Sequence, residues 1–104
     1  MERPSLQQLV YLVAVDDHRH FGKAAEACFV SQPALSAQIR ELERRLGVTL
    51  FERGNRKVLP TAVGTAVIDR ARGVLRDMDE AEQLCDRLAV MDRGRFAACL
   101  LYTS

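Results

Sequence analysis

Residues 31–47 read SQPALSAQIRELERRLG and predict a helix with both ends marked. Ser31 is suited to the N-cap, because its hydroxyl can accept a hydrogen bond from an amide of the first turn. Pro33 falls in that first turn, where a missing N–H costs no helical hydrogen bond. Gly47 is suited to the left-handed position that ends a helix. Apolar residues spaced by four, three and four form a core stripe: Leu35, Ile39, Leu42 and Leu46.

Two further helices are predicted before this one. The first runs from Ser5 to Asp17, with a wide apolar face and Ser5 as its N-cap. The second runs from Phe21 to Cys28, and its apolar face is built largely from alanine, which lets another helix approach closely. Residues 29–31 make a tight connection to the third helix.

A small β-hairpin with a basic tip is predicted after the third helix. Apolar stretches at residues 50–53 and 58–60 flank a Gly54–Asn55 turn, and Arg56 and Lys57 follow that turn.

A long helix closes the pattern, from a Thr61 cap to about Leu88. Its apolar residues alternate at intervals of four and three, the spacing of a coiled-coil seam. The predicted dimerisation seam consists of Val67, Ala71, Val74, Met78, Ala81, Cys85 and Leu88. The division is then residues 1–60 as a winged helix-turn-helix domain, 61–90 as a dimerisation helix, and 91–104 as an irregular tail.

The order of these elements predicts a mainly α fold, a winged helix-turn-helix, and with it DNA binding. A helix fits the major groove, and a hairpin tip can reach the adjacent minor groove. Gln and Ser side chains suit base edges, whereas Glu41 and Glu43 would repel phosphate, so only the N-terminal half of the third helix should enter the groove. The predicted DNA contacts are Lys23, Ser31, Gln32, Pro33, Ser36, Ala37, Arg40, Arg53, Arg56 and Lys57.

Composition excludes several other classes. The 104 residues carry 15 Lys+Arg and 14 Asp+Glu, a net charge of +1, so any basic footprint must be local. The longest apolar run is too short to span a bilayer. There is no phosphate-binding loop, HExxH or nucleophile elbow, so we expect no enzyme, and no metal or cofactor is predicted. Three separated cysteines are consistent with a reducing, cytoplasmic setting.

Three stretches resemble the DNA-binding domain of LysR-type transcriptional regulators. They begin at Phe21 (FGKAAEAC), Val30 (VSQPALSAQIRELE) and Leu46 (LGVTLFER), and the likeness runs from about residue 5 to 88. Residues 18–21 (HRHF), Cys28 and residues 56–58 (RKV) are similar to the peroxide-sensing, OxyR-type branch.

The resemblance implies specific roles. Gln32, Pro33 and Ser36 would contact bases and phosphates, and Arg53 and Arg56 match wing positions. The long helix would pair two chains, and a full-length protein could form a tetramer. Many relatives have Arg where this chain has Ala37, which leaves the base preference there open. The resemblance covers the DNA-binding domain of the family and not its effector-binding domain, so we expect DNA binding and a homodimer without a small-molecule effector.

Two alternatives remain open from the sequence. The chain could be a protein-interaction winged-helix module that dimerises through its long helix, although a basic wing favours DNA. It could also be a non-functional fragment with an intact fold. Cys28 is expected to be a buried small residue rather than a redox site.

Overall fold

The computed structural model describes residues 3–54 and 57–92, with side chains described as far as residue 88. The elements follow in the order α1 (Leu6–His18), α2 (Phe21–Ala27), α3 (Gln32–Leu46), β1 (Phe51–Arg53), β2 (Val58–Pro60) and α4 (Ala62–Asp92). This is the predicted mainly helical fold with a two-stranded wing and a long last helix.

Local capping chemistry defines the helix ends. The Ser5 hydroxyl accepts from the Gln8 amide while the Gln8 side chain accepts from the Ser5 amide, a reciprocal capping box. Ser31 caps α3 and Gly47 ends it in the left-handed conformation, both as predicted. Thr61 Oγ1 accepts from the Gly64 amide at 2.9 Å, so the predicted cap of α4 is confirmed.

One hydrophobic core joins the three short helices to β1 and the start of α4. Helix α1 packs against α2, α3 and α4. The core residues are Tyr11, Leu12, Val15, Ala24, Ala25, Leu35, Ile39, Leu42, Leu50, Phe51, Ile68 and Ala71. The predicted stripe of α3 supplies three of them, and Leu46 packs at the edge.

The wing is a short antiparallel hairpin in the register Phe51–Pro60, Glu52–Leu59 and Arg53–Val58. The Gly54 amide donates to the Lys57 carbonyl at 3.2 Å across the tip. The predicted Gly54–Asn55 turn falls partly on residues 55 and 56, which lie outside the described residues.

The N-terminal end of the predicted dimerisation seam packs within the chain itself. Ala71 is buried in the chain's own core, and Val67 packs against that core beside Ile68. The reason is that the first turns of α4 lie on α1, so this part of the heptad stripe is already covered within one chain. An exposed seam begins only at Val74.

Some predicted ends also shift. Helix α1 starts and stops one residue later than expected, α2 ends at Ala27 rather than Cys28, and α4 continues to Asp92. Residues 91 and 92 therefore belong to the helix and not to an irregular tail. The rest of the predicted tail, residues 93–104, lies outside the described residues.

Candidate nucleic-acid interface

The N-terminal end of α3 presents polar groups to solvent on a fixed helix. The Ser31 hydroxyl accepts from the Ala34 amide at 3.2 Å, and Pro33 occupies the first turn. Of the predicted contacts on this helix, Ser36 is half-buried and the others are exposed: Ser31, Gln32, Pro33, Ala37 and Arg40. The first turn also carries amides without helical partners, which favour an anion such as phosphate.

The start of α2 lies beside the start of α3. A Cβ placed on Gly22 would come within 3.5 Å of Gln32 Oε1, so this side chain lies along the first turn of α2. His20 Nδ1 accepts from the Lys23 amide at 3.0 Å and caps α2. Sequence reasoning missed this cap, because histidine is not among the residues usually expected there. Lys23 is exposed on the same turn, as a phosphate contact requires.

Arg53, a predicted DNA contact of the wing, interacts with residues of its own chain. Arg53 Nη2 lies 3.1 Å from Glu43 Oε1, and its guanidinium lies 5.4 Å from the centre of the Phe21 ring. This arginine is therefore held by the helices of its own chain. Lys57 is exposed at the tip, and Arg56 lies outside the described residues.

The two carboxylates of α3 that were expected to repel DNA have different partners. The Glu43 carboxylate contacts Arg53 in the wing. Glu41 bonds to Arg44 and Arg45 on its own helix, and the hydrogen bond from Arg44 is the main cause that lowers its pKa from 4.5 to about 2. Both negative charges are therefore balanced by arginine.

An apolar groove of about 520 Å³ runs between α1 and the middle of α4. Leu6 and Val10 line it from α1, Leu75 and Met78 line it from α4, and the charged residues Arg76, Asp79 and Glu82 also border it. The apolar surface continues along α4 past Ala81 to Cys85. Of the predicted seam, Val74, Met78, Ala81 and Cys85 are exposed and Leu88 is half-buried. The contribution of α1 was missed, because a heptad pattern concerns one helix only.

The two described cysteines differ in environment. Cys28 is half-buried at the end of α2, and this burial raises the pKa of its thiol. Cys85 is exposed on α4. Residues 3–54 and 57–92 contain no group of three or more potential metal ligands.

Comparison with known protein families identifies the family to which this chain belongs. Residues 6–65, more than half of the chain, match the family described as bacterial regulatory helix-turn-helix protein, lysR family. The chain belongs to the LysR family. Its helix-turn-helix, α2 and α3, is the DNA-binding motif of these transcription regulators.

Named LysR-family relatives include peroxide regulators. The chain is 49% identical over 83 residues to the DNA-binding transcriptional dual regulator OxyR of Escherichia coli K12, covering 80% of this chain and 27% of that protein. The predicted resemblance to the peroxide-sensing branch agrees with this match. The chain spans less than a third of the length of the curated regulators it matches.

Solved LysR-family structures share the fold. The BenM DNA-binding domain in complex with its benA site 1 DNA superimposes with a TM-score of 0.77 at 39% identity, covering 82% of this chain and 96% of that one. A full-length OxyR variant from Pseudomonas aeruginosa gives 0.77 at 39% identity, covering 82% of this chain and 29% of that one. In the part of this chain that the structure describes, no helix combines the length and the apolar character needed to cross a membrane.

Proposed function

We propose that this chain binds double-stranded DNA in a sequence-specific manner, with the N-terminal half of α3 in the major groove. The observation that carries the proposal is the exposed first half of α3, which is fixed by the Ser31 cap and by the core stripe behind it. A helix of this kind can reach base edges without rearrangement. The similar BenM domain was solved in complex with DNA, which supports DNA binding by this fold.

Different residues of this surface serve different parts of the duplex. Gln32 and Ser36 can donate to and accept from base edges, and Ala37 suits contact with a thymine methyl group. The predicted cationic contacts, Lys23, Arg40, Arg56 and Lys57, serve phosphates or the minor groove, where they add affinity with little sequence information.

We also propose that two copies pair through the apolar face of α1 and α4. Leu6, Val10, Val74 and Met78 are each at least 40% exposed, which leaves four large apolar side chains of α1 and α4 in water in a single copy. Burial against a second copy would remove that surface from solvent. Two recognition helices would then face DNA half-sites related by two-fold symmetry.

In the cell, we place the protein in the cytoplasm as part of a transcription regulator, without enzymatic activity and without a small-molecule effector bound to these residues. The names of the curated relatives support regulation of transcription. We assign no peroxide sensing to Cys28, because its half-buried thiol with a raised pKa is a poor nucleophile.

Selection of bound sequences from random duplex DNA tests this function. We expect an enriched motif of two half-sites separated by about one helical turn, because each copy inserts one α3. Enrichment of a single half-site would support sequence-specific binding by α3 but would contradict the pairing of two copies. A bound pool with the same composition as the input would contradict sequence-specific binding.

A further inference from the structure

Glu43 joins the recognition helix α3 to the wing. It lies in the last turn of α3, and its side chain is only 12% exposed. Oε2 accepts from the Leu50 amide at 2.7 Å and from the Phe51 amide at 3.4 Å, and Oε1 accepts from Arg53 Nη2 at 3.1 Å. One carboxylate thus binds three donors of the segment that enters and forms β1.

The position of this acid is unfavourable within its own helix. The C-terminal end of a helix carries a partial negative charge, which disfavours a carboxylate there. The Glu43 carbonyl already accepts from the Gly47 and Val48 amides, so the helix end is satisfied without the side chain. The side chain is therefore explained by its partners in the wing and not by α3.

Arg53 completes the connection between α3 and the wing from the side of β1. Its guanidinium lies between the Glu43 carboxylate and the Phe21 ring, and the Phe21 ring meets the Phe51 ring edge to face at 6.5 Å. Phe21 belongs to α2, Glu43 to α3 and Phe51 to β1. Both helices of the helix-turn-helix therefore hold the strand that leads into the wing tip.

We propose that Glu43, with Arg53, is a positioning residue that fixes the wing relative to α3 and so places Lys57 on the DNA. This rests on the proposed DNA binding and deepens it. In this proposal Glu43 does not contact DNA. Arg53 holds the wing to α3 through its ion pair with Glu43 and does not bind a DNA phosphate. Lys57 is held to the end of β1, because its carbonyl accepts from the Gly54 amide and the next residue, Val58, pairs with Arg53.

The matched control is Glu41, two residues away on the same helix. Its carboxylate bonds to Arg44 and Arg45, both on α3. Glu41→Gln removes an acid and its ion pairs from α3 without touching the wing. Glu43→Gln removes the charge that holds Arg53 and keeps an oxygen that can accept from Leu50.

The experiment is a double-mutant cycle on DNA affinity, with Lys57→Ala in three backgrounds: the parent, Glu43→Gln and Glu41→Gln. Affinity for the selected duplex is measured at several salt concentrations, at a temperature where each variant is shown to be folded. In the parent and in Glu41→Gln, Lys57→Ala should flatten the slope of log affinity against log salt by about 0.9, the loss of one phosphate contact. In the Glu43→Gln background, Lys57→Ala should change the slope by about zero, because the Lys57 ammonium group is no longer positioned at a phosphate.

A purely structural role for Glu43 would lower the unfolding midpoint and leave the Lys57 effect on the slope intact, which would overturn the proposal. Arg53→Gln is a second variant that removes the same ion pair from the wing side, and it should also abolish the Lys57 effect. A parent that does not bind the duplex at all would overturn the proposed function as well. Binding by the parent with equal Lys57 effects in all backgrounds overturns only the role of Glu43.

Discussion

Phe29 combines a strained backbone conformation with an exposed side chain. Its φ is 58°, in the left-handed region that is strained for a bulky side chain, and its side chain is 95% exposed. Phe29→Asn should raise the free energy of unfolding by about 1 kcal/mol, because asparagine adopts this conformation more easily and no packing is lost. Urea unfolding measures the change.

The control for this substitution is Phe29→Ala, which also removes the exposed ring but keeps a Cβ residue in the left-handed region. We expect a stability close to that of the parent. An equal gain for the alanine and asparagine variants would show that ring exposure, and not backbone strain, is what destabilises the turn.

The cysteines differ in reactivity for a reason that is visible at the residue scale. Burial raises the pKa of the Cys28 thiol, so little of the reactive thiolate forms at neutral pH, whereas Cys85 is exposed. In a Cys99→Ser, Met78→Asp background, which lacks the third thiol and is expected to be monomeric so that no second copy covers Cys85, a thiol reagent at pH 7 should modify Cys85 well before Cys28. Peptide mass analysis over time gives both rates, and modification of Cys28 at the rate of Cys85 would contradict this account.

At the scale of elements, the start of α4 closely approaches the backbone of the residue before β1. A Cβ added at Gly64 would lie 2.0 Å from the Leu50 carbonyl oxygen, and neither backbone can give way without moving the core. Gly64→Ala should lower the free energy of unfolding by about 1–3 kcal/mol through overpacking. Thermal or urea unfolding tests this.

Gly73 provides the comparison on the same helix. A Cβ there would meet only the end of the flexible Arg76 side chain, at 3.8 Å. Gly73→Ala should therefore stabilise the protein by about 0.5–1 kcal/mol, the usual gain for alanine within a helix. A loss at position 73 as large as that at position 64 would indicate a helix effect rather than the contact with Leu50.

The elements themselves were predictable because their signals are local. Ser31, Gly47 and Thr61 act through hydrogen bonds or backbone conformation within a few residues, and the sequence displays those distances directly. The α3 stripe was predictable for the same reason, since its spacing matches one helix face. These signals predicted which face of α3 is buried and which is exposed before any tertiary contact was known.

Features that depend on contacts between distant segments were not predictable in the same way. The heptad pattern could not distinguish Ala71, buried against the chain's own α1, from Met78, which is exposed. The ion pair of Arg53 with Glu43 was likewise not predictable, because the sequence marks Arg53 only as a basic wing residue and the two residues are ten positions apart. In both cases the pattern is satisfied equally well by an intramolecular and an intermolecular partner.

At the scale of the whole molecule, the exposed part of the seam predicts dimerisation. Met78 lies 40% exposed in the groove between α1 and α4. Met78→Asp should convert the dimer to a monomer, because burying an unpaired carboxylate at a second copy's surface is costly. Sedimentation at micromolar concentration distinguishes the two states.

Gln83→Asp is the matched control for dimerisation, because it adds the same charge to α4 at a position outside both apolar grooves. We expect it to remain a dimer. A monomeric parent, or a monomer for both variants, would contradict pairing through this face.

The central claim is that α3 reads bases through its N-terminal half, and the ratio of two affinities tests it. The measurement is the affinity for the selected duplex divided by that for a scrambled duplex, in the parent, in Gln32→Ala and in a Gln83→Ala control. Loss of one bidentate base contact costs about 1–3 kcal/mol, so Gln32→Ala should lower the ratio by roughly 5-fold to 150-fold while affinity for the scrambled duplex stays the same. The control should keep the parent ratio. An unchanged ratio in Gln32→Ala would contradict the placement of α3 in the major groove.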